Sequence, residues 1–157
     1  MGVLYTFAIG ALERVQKKEA NLLPDLKHLK SYLAHFDFEK EARLVCYDEC
    51  HSCLVVLDRN KTSSVESFLH AKPKLFRYDP LLGMSEVESE PYFDDSGMEH
   101  ATCFSYRLYS NGVGEQSIFE YDKKVYDMSD YFDDAKRYDT LEELKEEKER
   151  LLQKVLS

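Results

Sequence analysis

Leu4, Phe7, Ala8, Ala11, Leu12 and Val15 recur at the spacing that stacks side chains on one face of a helix, and the pattern predicts a first helix over about residues 3–19. Leu22, Leu26, Leu29, Leu33 and Phe36 repeat the period, with Asn21 placed to cap the helix and Pro24 tolerable in its first turn. The pattern then changes. Ala42-Arg43-Leu44-Val45-Cys46-Tyr47 and Cys53-Leu54-Val55-Val56-Leu57 are short β-rich runs bounded by Asp and Glu, and they predict two paired strands. Ser63-Ser64-Val65-Glu66 sets a hydroxyl three residues ahead of a glutamate, a capping box, and Pro73 limits the helix it would open to about residues 63–71.

From residue 80 to 98 the chain holds Pro80, Gly83, Pro91 and Gly97 among many acids, which predicts a long irregular segment. Thr102 to Tyr109 against Glu115 to Tyr121 reads as a hairpin turning through Asn111-Gly112, a dipeptide suited to the positive φ values of a tight turn, with Gly114 as host for a bulge. Thr140-Leu141-Glu142-Glu143 is a second capping box. It opens a C-terminal helix over 138–156 with Leu141, Leu144, Leu151, Leu152 and Val155 on its apolar side, interrupted by Lys148. The order α-α-β-β-α-loop-β-β-α predicts an α+β fold, one domain over 1–157 with an antiparallel sheet and helices packed on one side.

Charge changes this picture when it is divided along the chain. The net charge is −9, yet residues 79–134 alone carry 14 acidic against 3 basic side chains, while 1–78 and the closing helix are near neutral. The acidic stretch is rich in aromatic residues, unlike a disordered acidic tail. Tyr92-Phe93-Asp94-Asp95 is echoed by Tyr131-Phe132-Asp133-Asp134, with Glu120, Asp122, Tyr126, Asp127 and Asp130 between them. Tyrosine bodies flanked by carboxylates suit an interface that receives Arg and Lys. The expected partner-binding residues are therefore Tyr92, Phe93, Asp94, Asp95, Glu120, Asp122, Tyr126, Asp127, Asp130, Tyr131, Asp133 and Asp134.

Cys46, Cys50 and Cys53 form C-x3-C-x2-C, which resembles the cluster-binding triplet of radical S-adenosylmethionine enzymes. The resemblance covers eight residues, Ser52 stands where that family usually has an aromatic, and no glycine-rich cofactor motif follows. The same cysteines with His51, His100 or Cys103 have the ligand types of a zinc site but lack paired C-x2-C knuckles. The expectation is instead that Cys46 and Cys53 are small apolar residues of a buried hairpin, reduced, in a cytoplasmic protein without metal or other cofactor. Met1-Gly2-Val3-Leu4-Tyr5-Thr6 fits the minimal myristoylation pattern, but no basic patch follows it. No run of about 18 apolar residues and no export signal is present, so neither a membrane span nor export is expected. No basic cluster suits direct nucleic-acid binding.

Together these features predict a non-enzymatic acidic binding protein that engages and inhibits a basic protein partner, such as a nuclease-type toxin or nucleic-acid-processing enzyme. That is the role of an immunity protein, an antitoxin or a phage inhibitor that mimics nucleic acid. The alternatives are a small acidic homodimeric chaperone or assembly factor, and a Cys-centred metal-binding enzyme.

Overall fold

A computed structural model describes residues 25–130 and 133–156 of the chain. The predicted first helix, the Asn21 cap, the Met1-Gly2 pattern and Tyr131 lie outside the described residues. Among those residues about 41% are strand and 19% helix, so the α+β expectation with helices along one side is overturned. The described residues contain eleven strands in three antiparallel sheets, accompanied by two α-helices and one 3-10 turn.

The predicted strand pair is present as β1 (Glu41–Tyr47) and β2 (Ser52–Leu57), in a register that sets Cys46 opposite Cys53. β2 also pairs with β3 (Lys61–Val65), and β1 with β8 (Thr102–Tyr109), giving a four-stranded sheet in the order β3-β2-β1-β8. A short helix was predicted over 63–71. Instead residues 61–65 pair one by one with β2, and Leu69 turns into the core. The hydroxyl-to-glutamate spacing is a local signal, and the non-local pairing with a buried strand outweighs it.

The second sheet has five strands in the order β11-β10-β9-β4-β5. These are β4 (Lys74–Asp79), β5 (Gly83–Val87), β9 (Ile118–Tyr121), β10 (Lys124–Asp127) and β11 (Lys136–Tyr138). The segment read as irregular over 80–98 thus contributes β5 and a small hairpin, β6 (Tyr92–Phe93) with β7 (Glu99–His100). The predicted hairpin of 102–109 with 115–121 also departs from expectation. The chain does turn here, but Gly112 N–H donates to the Tyr109 carbonyl, so Ser110 and Asn111 form the centre of the turn and Gly112 follows it with φ of 87°, while Asn111 is not left-handed. The return strand makes one bridge, Leu108 to Gly114, and then crosses into the second sheet. Phe119 makes the crossing favourable because it faces the core between the sheets, where it is fully buried.

Alternation along each strand explains the layering. Ala42, Leu44 and Cys46 of β1, Val55 of β2, and Phe104, Tyr106 and Leu108 of β8 point to one face and meet Leu75 and Phe119 of the second sheet. A 3-10 turn at Leu26–His28 and α1 (Leu29–Ala34) bury Leu26, Leu29 and Leu33 in the same core. Asp25 caps that turn, its carboxylate accepting from the Lys27 amide at 3.0 Å. The far face of the second sheet, with Ile118 and Val125, is covered by α2 (Leu141–Leu156) through Leu144. Thr140 accepts from the Glu143 amide at 3.1 Å, while the Glu143 carboxylate receives Asp139 N–H. Lys148, which interrupts the apolar seam of α2, reaches the buried Asp127 carboxylate at 3.1 Å.

The four cysteines form two disulfides, Cys46–Cys53 and Cys50–Cys103, which corrects the expectation of reduced thiols. The first joins directly opposed residues of β1 and β2. The second depends on a bulge: Cys46 faces Phe104 and Tyr47 faces Thr102, so Cys103 is the extra residue and lies within reach of the β1–β2 turn, 5.7 Å between Cα atoms. In that turn Asp48, Glu49 and Cys50 are all left-handed, with φ of 53°, 54° and 68°.

Candidate functional site

The face of the four-stranded sheet turned away from the core carries Glu41, Arg43, Val45 and Tyr47 from β1, Leu54 and Val56 from β2, and Ser105 and Arg107 from β8. The β6–β7 hairpin lies over it. Pairing sets Tyr92 opposite His100 and Phe93 opposite Glu99, so the two pairs point to opposite sides of the hairpin. Tyr92 and His100 point inward: Tyr92 packs with Val45 and Val56, and the rings of Tyr92 and Tyr47 stand 5.9 Å and 5.3 Å from that of His100. Phe93 and Glu99 point outward. Phe93 is 59% exposed, and Met98 beside it 62%.

Asp94 holds the hairpin tip. Its carboxylate accepts from the Ser96 hydroxyl at 2.6 Å, from the amides of Ser96 and Met98, and from His100 Nε2 at 2.9 Å. The Ser96 hydroxyl, His100 and the Met98 amide together hold its pKa well below the usual carboxylate range. Asp94 is therefore a structural turn residue, and Asp95 and Glu99 are the exposed acids of the hairpin, with Asp48 and Glu49 exposed in the β1–β2 turn.

Further along the same face three arginines gather among carboxylates. On the other side of Tyr92 from Tyr47, a cleft of about 420 Å³ opens beside Arg43, Arg59 and Arg107, with Glu41, Glu90 and Val56 also lining it. Arg107 Nε lies 2.7 Å from one Glu41 oxygen and Arg59 Nε 3.1 Å from the other; Arg107 Nη2 lies 3.4 Å from Glu90. Arg43 donates to the Ser105 hydroxyl at 2.7 Å and to the carbonyls of Glu90 and Pro91. Burial pulls the Arg43 pKa down, Glu90 opposes this, and neighbouring Arg107 adds to it. Burial also works against the charge of Arg107, but Glu41, Tyr109, Glu90 and Glu115 outweigh it and raise its pKa.

The structure divides the twelve expected partner-binding residues among separate regions. Tyr92, Phe93, Asp94 and Asp95 belong to the hairpin on the outer face of the first sheet. Glu120, Asp122, Tyr126 and Asp127 belong to β9, β10 and their turn in the second sheet, across the core from that hairpin. Asp127 is buried, accepting from Ser129 and pairing with Lys148. Near α1, Asp134 accepts from the Ser31 hydroxyl at 2.7 Å, Lys30 donates to the Asp130 carbonyl, and Asp133 is exposed. The metal-ligand candidates Cys46, Cys50, Cys53 and Cys103 are all in disulfides and offer no thiolate in this state, and His51 contacts the Asp48 carbonyl. Among the described residues no three His, Cys, Asp or Glu side chains are grouped to hold a metal ion, and no helix is long and apolar enough to cross a membrane.

Sequence reading missed Met98, Glu99 and the arginine cleft. Its one local signal was Arg43, a charge inside an otherwise apolar β-run; Arg107 joins it through a strand pairing that no local pattern encodes. No family model, curated protein or solved structure matches this chain, so the functional argument rests on the arrangement of these side chains.

Proposed function

We propose that the chain is a non-catalytic binding protein that uses the β6–β7 hairpin to engage a basic partner and thereby block it. The observation that carries this reading is the outward pair Phe93 and Glu99 with Met98 beside them: exposed apolar side chains among carboxylates, on a hairpin whose tip is fixed by Asp94. An apolar anchor supplies desolvation energy on docking, and the surrounding acids speed encounter and select for arginine and lysine. Fixing the hairpin beforehand lowers the entropy cost of docking. Two disulfides support an oxidising compartment for this activity in place of the cytoplasm.

The test is a titration of isotope-labelled protein with a short peptide of alternating arginine and leucine, followed by NMR at low and high salt. Shifts concentrated on Phe93, Asp95, Met98 and Glu99, weakened by salt and lost in Phe93→Ser/Glu99→Lys, support the reading. Shifts spread evenly over exposed acids such as Asp122 and Glu142, or none, overturn it.

A second reading, self-assembly, is favoured by the β4–β5 turn. Leu81 and Leu82 there are 94% and 88% exposed and lead into β5, the edge of the five-stranded sheet. Light scattering of a dimer that Leu81→Asp/Leu82→Asp converts to monomer supports it; a monomer at high concentration removes it.

A further inference from the structure

The arginine cleft does not serve a basic partner, and its chemistry points elsewhere. Arg43 and Arg107 are directly opposed across β1 and β8 on the outer face. Like charges in that position destabilise an antiparallel pair. The chain nevertheless places them there, with Arg59 alongside, so that three of the six arginines among the described residues share one cleft of a molecule whose net charge is −9. Three carboxylates, Glu41, Glu90 and Glu115, face the three guanidinium groups, but none makes a direct contact with the Arg43 guanidinium, and Glu115 accepts from the Arg107 backbone amide at 3.1 Å. Both Glu41 oxygens are taken by Arg59 and Arg107, and Glu90 reaches Arg107 at 3.4 Å from an exposed position. The hydrogen bonds of Arg43 go to neutral oxygens, the Ser105 hydroxyl and two backbone carbonyls, which orient the guanidinium without neutralising it.

We propose that this cleft is a binding site for a small aromatic oxyanion, an aryl phosphate or aryl carboxylate, whose charged group lies between Arg43 and Arg107 and whose ring packs against Tyr92 and Val56. Guanidinium forks match the geometry of planar and tetrahedral oxyanions, and an aromatic wall with a few fixed polar groups is the usual make-up of a small-ligand site. A volume of about 420 Å³ accommodates a single substituted ring. The incoming anion displaces the long contact from Glu90 to Arg107 and leaves the Glu41 pairings in place.

The experiment is an NMR titration with phenyl phosphate, benzoate, inorganic phosphate and phenol as separate probes. The proposal expects shifts at Arg43, Val56, Tyr92 and Arg107, with one of the two aryl oxyanions bound at least about tenfold more tightly than inorganic phosphate or phenol. Which of the two binds better distinguishes a phosphate from a carboxylate ligand. Arg107→Lys, which keeps the charge but loses the fork, weakens binding about tenfold. Arg59→Ser alters an exposed side chain, leaves the folded spectrum intact and weakens binding several-fold. The proposal is overturned if neither aryl oxyanion shifts these signals, if phenol or inorganic phosphate binds as tightly as the better of the two aryl oxyanions, or if folded Arg59→Ser and Arg107→Lys bind as the parent does.

Discussion

The ring of Phe104 stands edge-on to that of Phe119, with centroids 4.9 Å apart and planes at 81°, and the two belong to different sheets. Both are fully buried, and the contact joins the four-stranded sheet to the five-stranded one. Phe119→Ala removes the ring and leaves a cavity between the layers. A loss of about 3–5 kcal/mol is expected, read as a lower urea midpoint.

Gly114 is buried and closely surrounded by side chains. A Cβ there would lie 2.0 Å from the Tyr106 hydroxyl and 2.4 Å from Lys30 Cε. Gly114→Ala is therefore expected to destabilise, and Tyr106→Phe in the same chain to restore part of the loss by removing the hydroxyl. That hydroxyl is buried without a hydrogen-bond partner among the described residues, so Tyr106→Phe alone should raise stability by about 1 kcal/mol. A double-mutant cycle of chemical denaturation midpoints checks both statements.

The two disulfides should differ in what they contribute. Cys50–Cys103 spans 53 residues and Cys46–Cys53 spans 7, so the first removes more freedom from the unfolded chain. Replacing Cys50 and Cys103 by serine should cost about 4 kcal/mol, and replacing Cys46 and Cys53 about 2.5 kcal/mol. Mass spectrometry after alkylation should find no reactive thiol without reductant and four with it.

The low pKa of Asp94 sets a pH dependence. A carboxyl whose folded value lies below its unfolded value stabilises the fold at pH values above the unfolded one, and the benefit fades as pH falls toward the folded one. Asp94→Ala should therefore be less stable than the parent at neutral pH, and the difference should shrink below about pH 4. Denaturation midpoints measured across that range test this, and a difference that stays constant with pH would contradict it.

The sequence by itself determined the β1–β2 pair, the helical turn around Leu29 and Leu33, a chain reversal at Gly112 and α2 with its Thr140 cap. Each rests on neighbours within a few residues: alternation, a positive φ, or a hydroxyl facing an amide. Tertiary structure decided the rest. Ser63 to Val65 became an edge strand because β2 offered backbone partners, and Glu115 to Tyr121 left its hairpin because Phe119 is buried between the sheets. The cysteine pairing followed from the bulge at Cys103, which no spacing along the chain reveals. The regional charge was legible as a total, but its working meaning was not. Burial and hydrogen bonding took Asp94, Asp127 and Asp134 into the framework, and strand register set Arg43 against Arg107 on the same face that presents Phe93 and Glu99. Those outcomes depend on which residues meet across the sheets, and contacts between residues far apart in sequence are fixed by packing rather than by local pattern.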